Sequence, residues 1–485
     1  MRTIAKWTGL RWLLNTLFYR EGTNILTALQ YPDFRNLWFG QIVSFVGDSL
    51  ALNTITLGII RMAGAGASGR YLGTLAVMSA LPPLLLGMVA GTIVDRANRK
   101  RLMIASDILR GFLALGFLLV NDLSQVWVYY LVSVLLNSVA VFFMPARTAL
   151  MPLILDDREK LLAGNALSQL TITLSFVVGA GLAGLIVGTA DATTSVKATT
   201  PAFIADSISF FISAYFIARI SISGKVVRET AQVISNAPIV PRSQLTGVVT
   251  SVRDVYNELV VGLRYVFTDQ VMRGVLISFL AMMLGLGAAN VTFVPLLINE
   301  LGMAEEGLGV IRGSQTLGII LGSAIIASLA RHFKARDLIG ISMIVFGMTT
   351  VLVSIVPTYT IMIGVIFLVG LVIAPPQIVA PTLMQNHVPS EKLGRASGAQ
   401  NTIVTVANIL SMGAAGFLMD EIGPRMIFTI SGVMIFVAGF VSWWVLRNVE
   451  DMPDEEASEE QKDTAIPGPT PALAPEAAVE VASEP

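Results

Sequence analysis

Twelve largely apolar runs recur along this chain, each near the roughly 20 residues that a helix needs to cross a bilayer. They cover 36–60, 71–94, 102–120, 126–147, 162–189 and 201–219. After a hydrophilic interruption come 272–298, 307–330, 337–356, 360–386, 395–419 and 425–446. Hydrocarbon offers no hydrogen-bond partners, so each run must satisfy its own backbone and fold as a helix. Charged residues make up 13% of the chain, against about 25% in soluble domains, so most of the surface does not face water. The predicted fold class is an all-α polytopic membrane protein with twelve transmembrane helices.

The runs fall into two sixes. Residues 1–35 form a predicted cytoplasmic segment with an interfacial helix, anchored by Trp7, Trp12 and Phe18. Residues 36–220 and 272–446 are the two predicted six-helix bundles. In the linker 221–271, Val252, Val255, Leu259, Leu263 and Val266 recur at helical spacing around Arg253, Glu258 and Arg264, which predicts an amphipathic helix. The tail 447–485 is acidic, then Pro/Ala-rich, and is expected to be disordered. Lys and Arg set the orientation: with the N-terminus inside, about 26 of the 32 fall on the cytoplasmic side. The outer loops are read as holding only Arg61, Arg70, Lys197, Arg312 and Arg425. Both termini are expected to be cytoplasmic, and the chain is expected as a monomer in the cell (inner or plasma) membrane.

Several functions are excluded by composition. A net charge of −1 provides no field for nucleic acid. There is no cysteine, and the two histidines, His332 and His387, have no metal-ligand spacing. No nucleophile–base pair or Gly-Lys-Ser/Thr phosphate loop occurs, so neither an enzyme, a cofactor nor ATP-driven transport is expected.

The densest charge cluster of the first half is Gly91-Thr-Ile-Val-Asp95-Arg96-Ala-Asn98-Arg99-Lys100-Arg101, in a short link between two spans. It resembles the cytoplasmic loop motif of the major facilitator superfamily. Tyr31-Pro-Asp33-Phe34-Arg35 through Gly47-Asp48 resembles the first helix of the efflux branch, which includes enterobactin-exporter and macrolide-efflux types. So do Phe142-Phe-Met-Pro145-Ala146-Arg147 and Gly416 to Arg425. The resemblance implies two pseudo-symmetric six-helix bundles around a central cavity, and alternating access. It implies that Gly91 lets helices approach, that Asp95 caps or pairs near a helix end, and that Arg96, Arg99 and Lys100 hold the inner gate. Asn98 stands where the family has Gly, which suggests a left-handed turn residue. Two departures bear on coupling. Ala180 replaces a proline in the fifth helix, and the fourth helix lacks the intramembrane Arg of drug/proton antiporters. The corresponding second-half loop, His332-Phe-Lys334-Ala-Arg336, keeps basic charge and loses the acid.

Charges inside spans are functional candidates by their cost. Asp48, midway along the first helix, is assigned to proton or cationic-substrate coupling, with a packing bond to Asn137 or Gln41 as the alternative. Asp206 is a second coupling candidate. Asp107 and Arg110 are three residues apart on one helix face and are read as a gate brace linked to Asp95 and Arg147. Polar cavity candidates are Gln41, Asn137, Gln169, Asn290, Gln315, Gln377, Asn401 and Asn408. Pro375, Pro376 and Pro381 are expected to bend the tenth helix. No basic residue is read as sitting mid-span, so an anion clamp is not expected. The resulting reading is a secondary transporter that exports small lipophilic or amphipathic, neutral or cationic compounds by proton antiport. A siderophore or a lysophospholipid remains open as cargo, and a non-transporting sensor or scaffold as a different class.

Overall fold

In the computed structural model, residues 19–20, 23–64, 66–155, 157–189, 199–221, 263–329 and 332–448 are described. The first bundle contains α1 (Pro32–Ala63), α2 (Ser68–Arg96), α3 (Arg99–Ala114, continued as a 3-10 turn to Leu119), α4 (Val126–Ile154), α5 (Arg158–Gly188) and α6 (Thr200–Ala218). The second contains α7 (Gln270–Pro295, continued as a π turn to Glu300), α8 (Leu308–Leu329), α9 (Ala335–Ile355), α10 (Tyr359–His387) and a long stretch, Ser390–Val445. That stretch breaks at Gly423, where φ 77 and ψ 158 are accessible to glycine alone at low cost, so 390–422 and 424–445 are α11 and α12. Ten helical stretches among the described residues are long and apolar enough to cross a membrane. The last of these holds α11 and α12, and α2 completes the twelve.

The helices extend past the predicted apolar runs at most ends, because caps and turns rather than hydropathy set where a helix stops. Asp157, Asp269 and Asn98 each accept a hydrogen bond from a backbone N–H of the turn they open. Asn98 therefore works as an N-cap in an extended conformation (φ −71), not as a left-handed turn residue. A side-chain acceptor matters at a helix start, which explains why Asn serves there without positive φ. Pro375, Pro376 and Pro381 lie inside a continuous α10, and Pro82 and Pro83 inside α2. Near the N-terminus, a two-residue ribbon (Tyr19–Arg20 with Thr23–Asn24) and a 3-10 turn (Ile25–Gln30) occupy part of the predicted interfacial helix. Trp7, Trp12, Phe18, most of the predicted linker helix and the acidic tail lie outside the described residues.

The turn at Ala97–Asn98 marks one end of the fold, the loop end; the turn near Gly64 marks the far end. At the far end the two halves touch through backbone. A Cβ on Gly73 of α2 would lie 2.8 Å from Cα of Gly416 on α11, and one on Gly309 of α8 would lie 2.8 Å from Cα of Gly181 on α5. Small residues at these positions let the helices approach this closely. Among the described residues, two polar contacts join the halves there. Arg61 Nε and Nη2 donate to Glu305 at 2.7 and 2.6 Å, and Nη2 also donates to the Val187 carbonyl at 2.8 Å. Asp420 accepts from the Gly69 and Arg70 backbone N–H groups at 2.9 and 3.1 Å, capping α2 from the opposite half. Toward the loop end the same helices separate. No atom outside the local helix lies within 4 Å of a Cβ placed at Gly87 or Gly91 of α2, or at Gly394 or Gly398 of α11. The crevice between the halves is closed at the far end and open at the loop end.

Candidate functional site

The middle of α1 is the centre of the site, and its spacing decides what each residue meets. Gly47 faces α6 so closely that a Cβ there would lie 2.8 Å from Asp206 Oδ1. Asp206 is buried, and this oxygen has no hydrogen-bond partner. The next residue, Asp48, turns away, with 46% of its side chain exposed, and lies 3.7 Å from Arg110 Nη1 on α3. Arg110 also bonds Asp107 one turn earlier on its own helix. Ser213 on α6 donates to the second oxygen of Asp107 at 2.6 Å. The Arg110 guanidinium lies 4.7 Å from the Phe143 ring centre and 4.4 Å from that of Phe210, an apolar aromatic setting that strengthens its charge interactions. Three acids, Asp48, Asp107 and Asp206, thus gather around one guanidinium.

The sequence suggests the pairing of Asp107 with Arg110, but not their position. They lie eight and eleven residues into α3, beside mid-α1, and beyond its own helix Arg110 meets Asp48, while the expected link to Asp95 falls on a side chain outside the described residues. Neither Asn137 nor Gln41 bonds Asp48. Asn137 donates to Ser133 O of its own helix at 2.8 Å, and Gln41 is buried with Nε2 unpartnered. Arg147 is buried with Nε unpartnered. Two basic residues of the loop bond main-chain carbonyls of neighbouring helices, and Lys100 caps the end of α6. Lys100 Nζ donates to the Ala218 and Ile220 carbonyls at 2.7 and 2.8 Å, and Arg99 Nη1 donates to Ala149 O at 3.2 Å. The side chains of Asp95 and Arg96 lie outside the described residues. Gly91 makes no close helix approach, because the halves are apart at this end.

Across the crevice, a residue that sequence reasoning placed in an outer loop belongs to the site. Arg312 lies in the second turn of α8, within 5.1 Å of the Phe176 ring centre on α5 and 5.5 Å of the Phe293 ring centre on α7. Ser49 Oγ donates to the Phe176 carbonyl at 3.0 Å, so Phe176, and Arg312 with it, stand level with the middle of α1. A basic residue therefore does sit mid-span, which corrects the exclusion of an anion site. The helix start predicted from hydropathy could not reveal this, because depth depends on the neighbours against which α8 packs. Arg312, Asn290 and Gln315 line a cavity of about 70 Å³ with Phe293, Phe346 and Thr350. Of the other polar candidates, Asn408 donates to Met283 O at 2.8 Å, whereas Gln169, Gln377 and Asn401 are exposed.

The description "Major Facilitator Superfamily" attaches to the family whose model matches residues 37–304 and 275–482. The chain belongs to this superfamily and is a multi-pass membrane transporter. It is 22% identical over 414 residues to macrolide efflux protein A of Streptococcus pyogenes, covering 84% of this chain and 94% of the relative. It is 24% identical over 382 residues to the multidrug efflux pump Tap of Mycolicibacterium fortuitum, covering 77% and 86%. Among solved structures, the nucleoside transporter NupG superposes with a TM-score of 0.65 at 12% identity, covering 86% and 99%, and shares the fold.

Proposed function

We propose that this transporter is an exporter of small lipophilic or amphipathic compounds, driven by proton antiport. The observation that carries this reading is the cluster of Asp48, Asp107 and Asp206 around Arg110. One guanidinium balances one carboxylate, so at least one of the two buried acids, Asp107 and Asp206, reaches charge balance only by taking up a proton. Asp48, the exposed member at the crevice, is the group that exchanges its proton with solvent or cargo. Arg110 links it to the buried acids. Kinship with two efflux proteins supports the direction of transport. The excess of basic residues at the loop end supports a cytoplasmic position for that end, so the crevice described above opens inward. Asp95, Arg96, Arg99, Lys100 and Arg147 serve the gate at that end, and Asp206 is the second coupling acid.

The test is flux of a lipophilic cation panel in proteoliposomes under an imposed pH gradient. Asp48→Asn should abolish gradient-driven uptake while leaving fold and abundance intact. Wild-type gradient-driven flux in that variant would refute coupling through Asp48.

A further inference from the structure

We propose that Arg312, with Asn290 and Gln315, receives an anionic head group, a carboxylate in the simplest case, on the cargo. The proposal deepens the exporter reading and rests on it for the statement that the bound acid is transported.

A guanidinium withdrawn from water needs compensation, normally from a carboxylate or several carbonyls. Three other arginines of this fold have it, whereas Arg147 on α4 shares an unpartnered Nε. Arg61 has Glu305 and Val187 O. Arg110 has Asp107 and Asp48. Arg425 has Glu300 and the carbonyls of Ser354 and Val356. For Arg312, by contrast, no carboxylate lies within ion-pair distance among the described residues. Its Nε is buried without a partner, and its one polar contact is a long one, 3.5 Å to Gln315 Oε1. Phe176 and Phe293 occupy the apolar surroundings of the guanidinium, while its N–H groups remain available at its edge.

The neighbours fit an anion. Arg312 and Gln315 are three residues apart on one face of α8, and Asn290 reaches the same cavity from α7. Each amide supplies N–H donors. At about 70 Å³ the cavity holds a small polar group and not a whole drug-sized molecule, which needs several hundred cubic ångströms. The remainder of the ligand then lies in the crevice, whose opposite wall at the same level carries Asp48. Phe176 belongs to one half and Phe293 to the other, so a ligand held at Arg312 touches the contact between the halves. A zwitterion with its acid at Arg312 and its cation toward Asp48 matches both walls.

The experiment compares three probes with one aromatic body: 4-phenylbutyrate, 4-phenylbutyramide and 4-phenylbutylamine. Equilibrium binding to the full chain in lipid nanodiscs is measured for wild type, Arg312→Gln and Arg312→Lys. Wild type should favour the acid over the amide about tenfold, as expected for hydrogen bonds to a charged group. Arg312→Gln should lose this preference, and Arg312→Lys should keep part of it. Equal binding of acid and amide by wild type overturns the proposal without recourse to any variant, so a variant that fails to fold leaves it decidable. Full acid preference in Arg312→Gln also overturns it. Because binding is read at equilibrium, an Arg312-dependent preference without gradient-driven flux removes the exporter reading and leaves the site. Flux without acid preference does the reverse.

Discussion

Removing Arg61 should open the far end of the crevice. Arg61 makes two charge-assisted bonds to Glu305 across the halves, at 2.7 and 2.6 Å, and the two side chains are only 18% and 12% exposed. A fully exposed pair contributes about 0.2–1 kcal/mol, and a buried charged hydrogen bond about 1.5–3 kcal/mol. This bidentate pair lies between those limits, near its rim, so about 2 kcal/mol is a reasonable figure for closure. That corresponds to a roughly 30-fold shift in the ratio of far-end-open to far-end-closed molecules. A far-end-open state populated at about 1% would rise to roughly a quarter. The Asp420 cap on α2 remains, so the variant should stay folded. The chain contains no cysteine, so spin labels can be placed without background at Gly66→Cys and Glu421→Cys, both exposed at this end. Double electron–electron resonance on Arg61→Ala should show a new long-distance population, and the charge swap Arg61→Glu with Glu305→Arg should reduce it. An unchanged distance distribution in Arg61→Ala would show that the pair does not hold this end closed.

Two further outcomes follow from the same geometry. Arg110→Ala leaves Asp107, buried at 0% exposure, facing Ser213 without its cation, so stability should fall by about 3–5 kcal/mol. Thermal unfolding should show recovery when Asp107→Asn is added. Gly416→Val would drive a side chain into the backbone of α2 at Gly69 and Gly73, so the same spin-label pair should report separation at the far end even with Arg61 intact.

The helices and their grouping were legible because hydropathy acts run by run, and a bilayer permits only helices with these lengths. Helix ends were less legible. Asn98 was read from its turn chemistry, whereas its role is set by the N–H groups left free at the start of α3. Lateral partners were beyond the sequence. Asp48 and Arg110 are far apart in the chain and meet only because α1 and α3 pack at one level. Asp206 reaches α1 only because position 47 is glycine, a signal that could have been sought one residue before the noticed acid. Arg312 was misplaced by its nearness to a helix start. Its depth follows from a chain of contacts, Ser49 to Phe176 to Arg312, that crosses three helices.

The glycine contacts at the far end bear on leakage. Where Gly73 meets Gly416 and Gly181 meets Gly309, the closing surfaces are main chain against main chain. Side-chain plugs flicker as rotamers exchange, and each flicker admits a file of water along which protons hop. Paired helix backbones have no rotamers to exchange. Such a seal either holds or parts as a whole when the two halves rock, so the far side is kept from conducting protons during the long intervals between turnovers. If the carrier is driven by proton antiport, as proposed above, that tightness preserves the gradient for cargo.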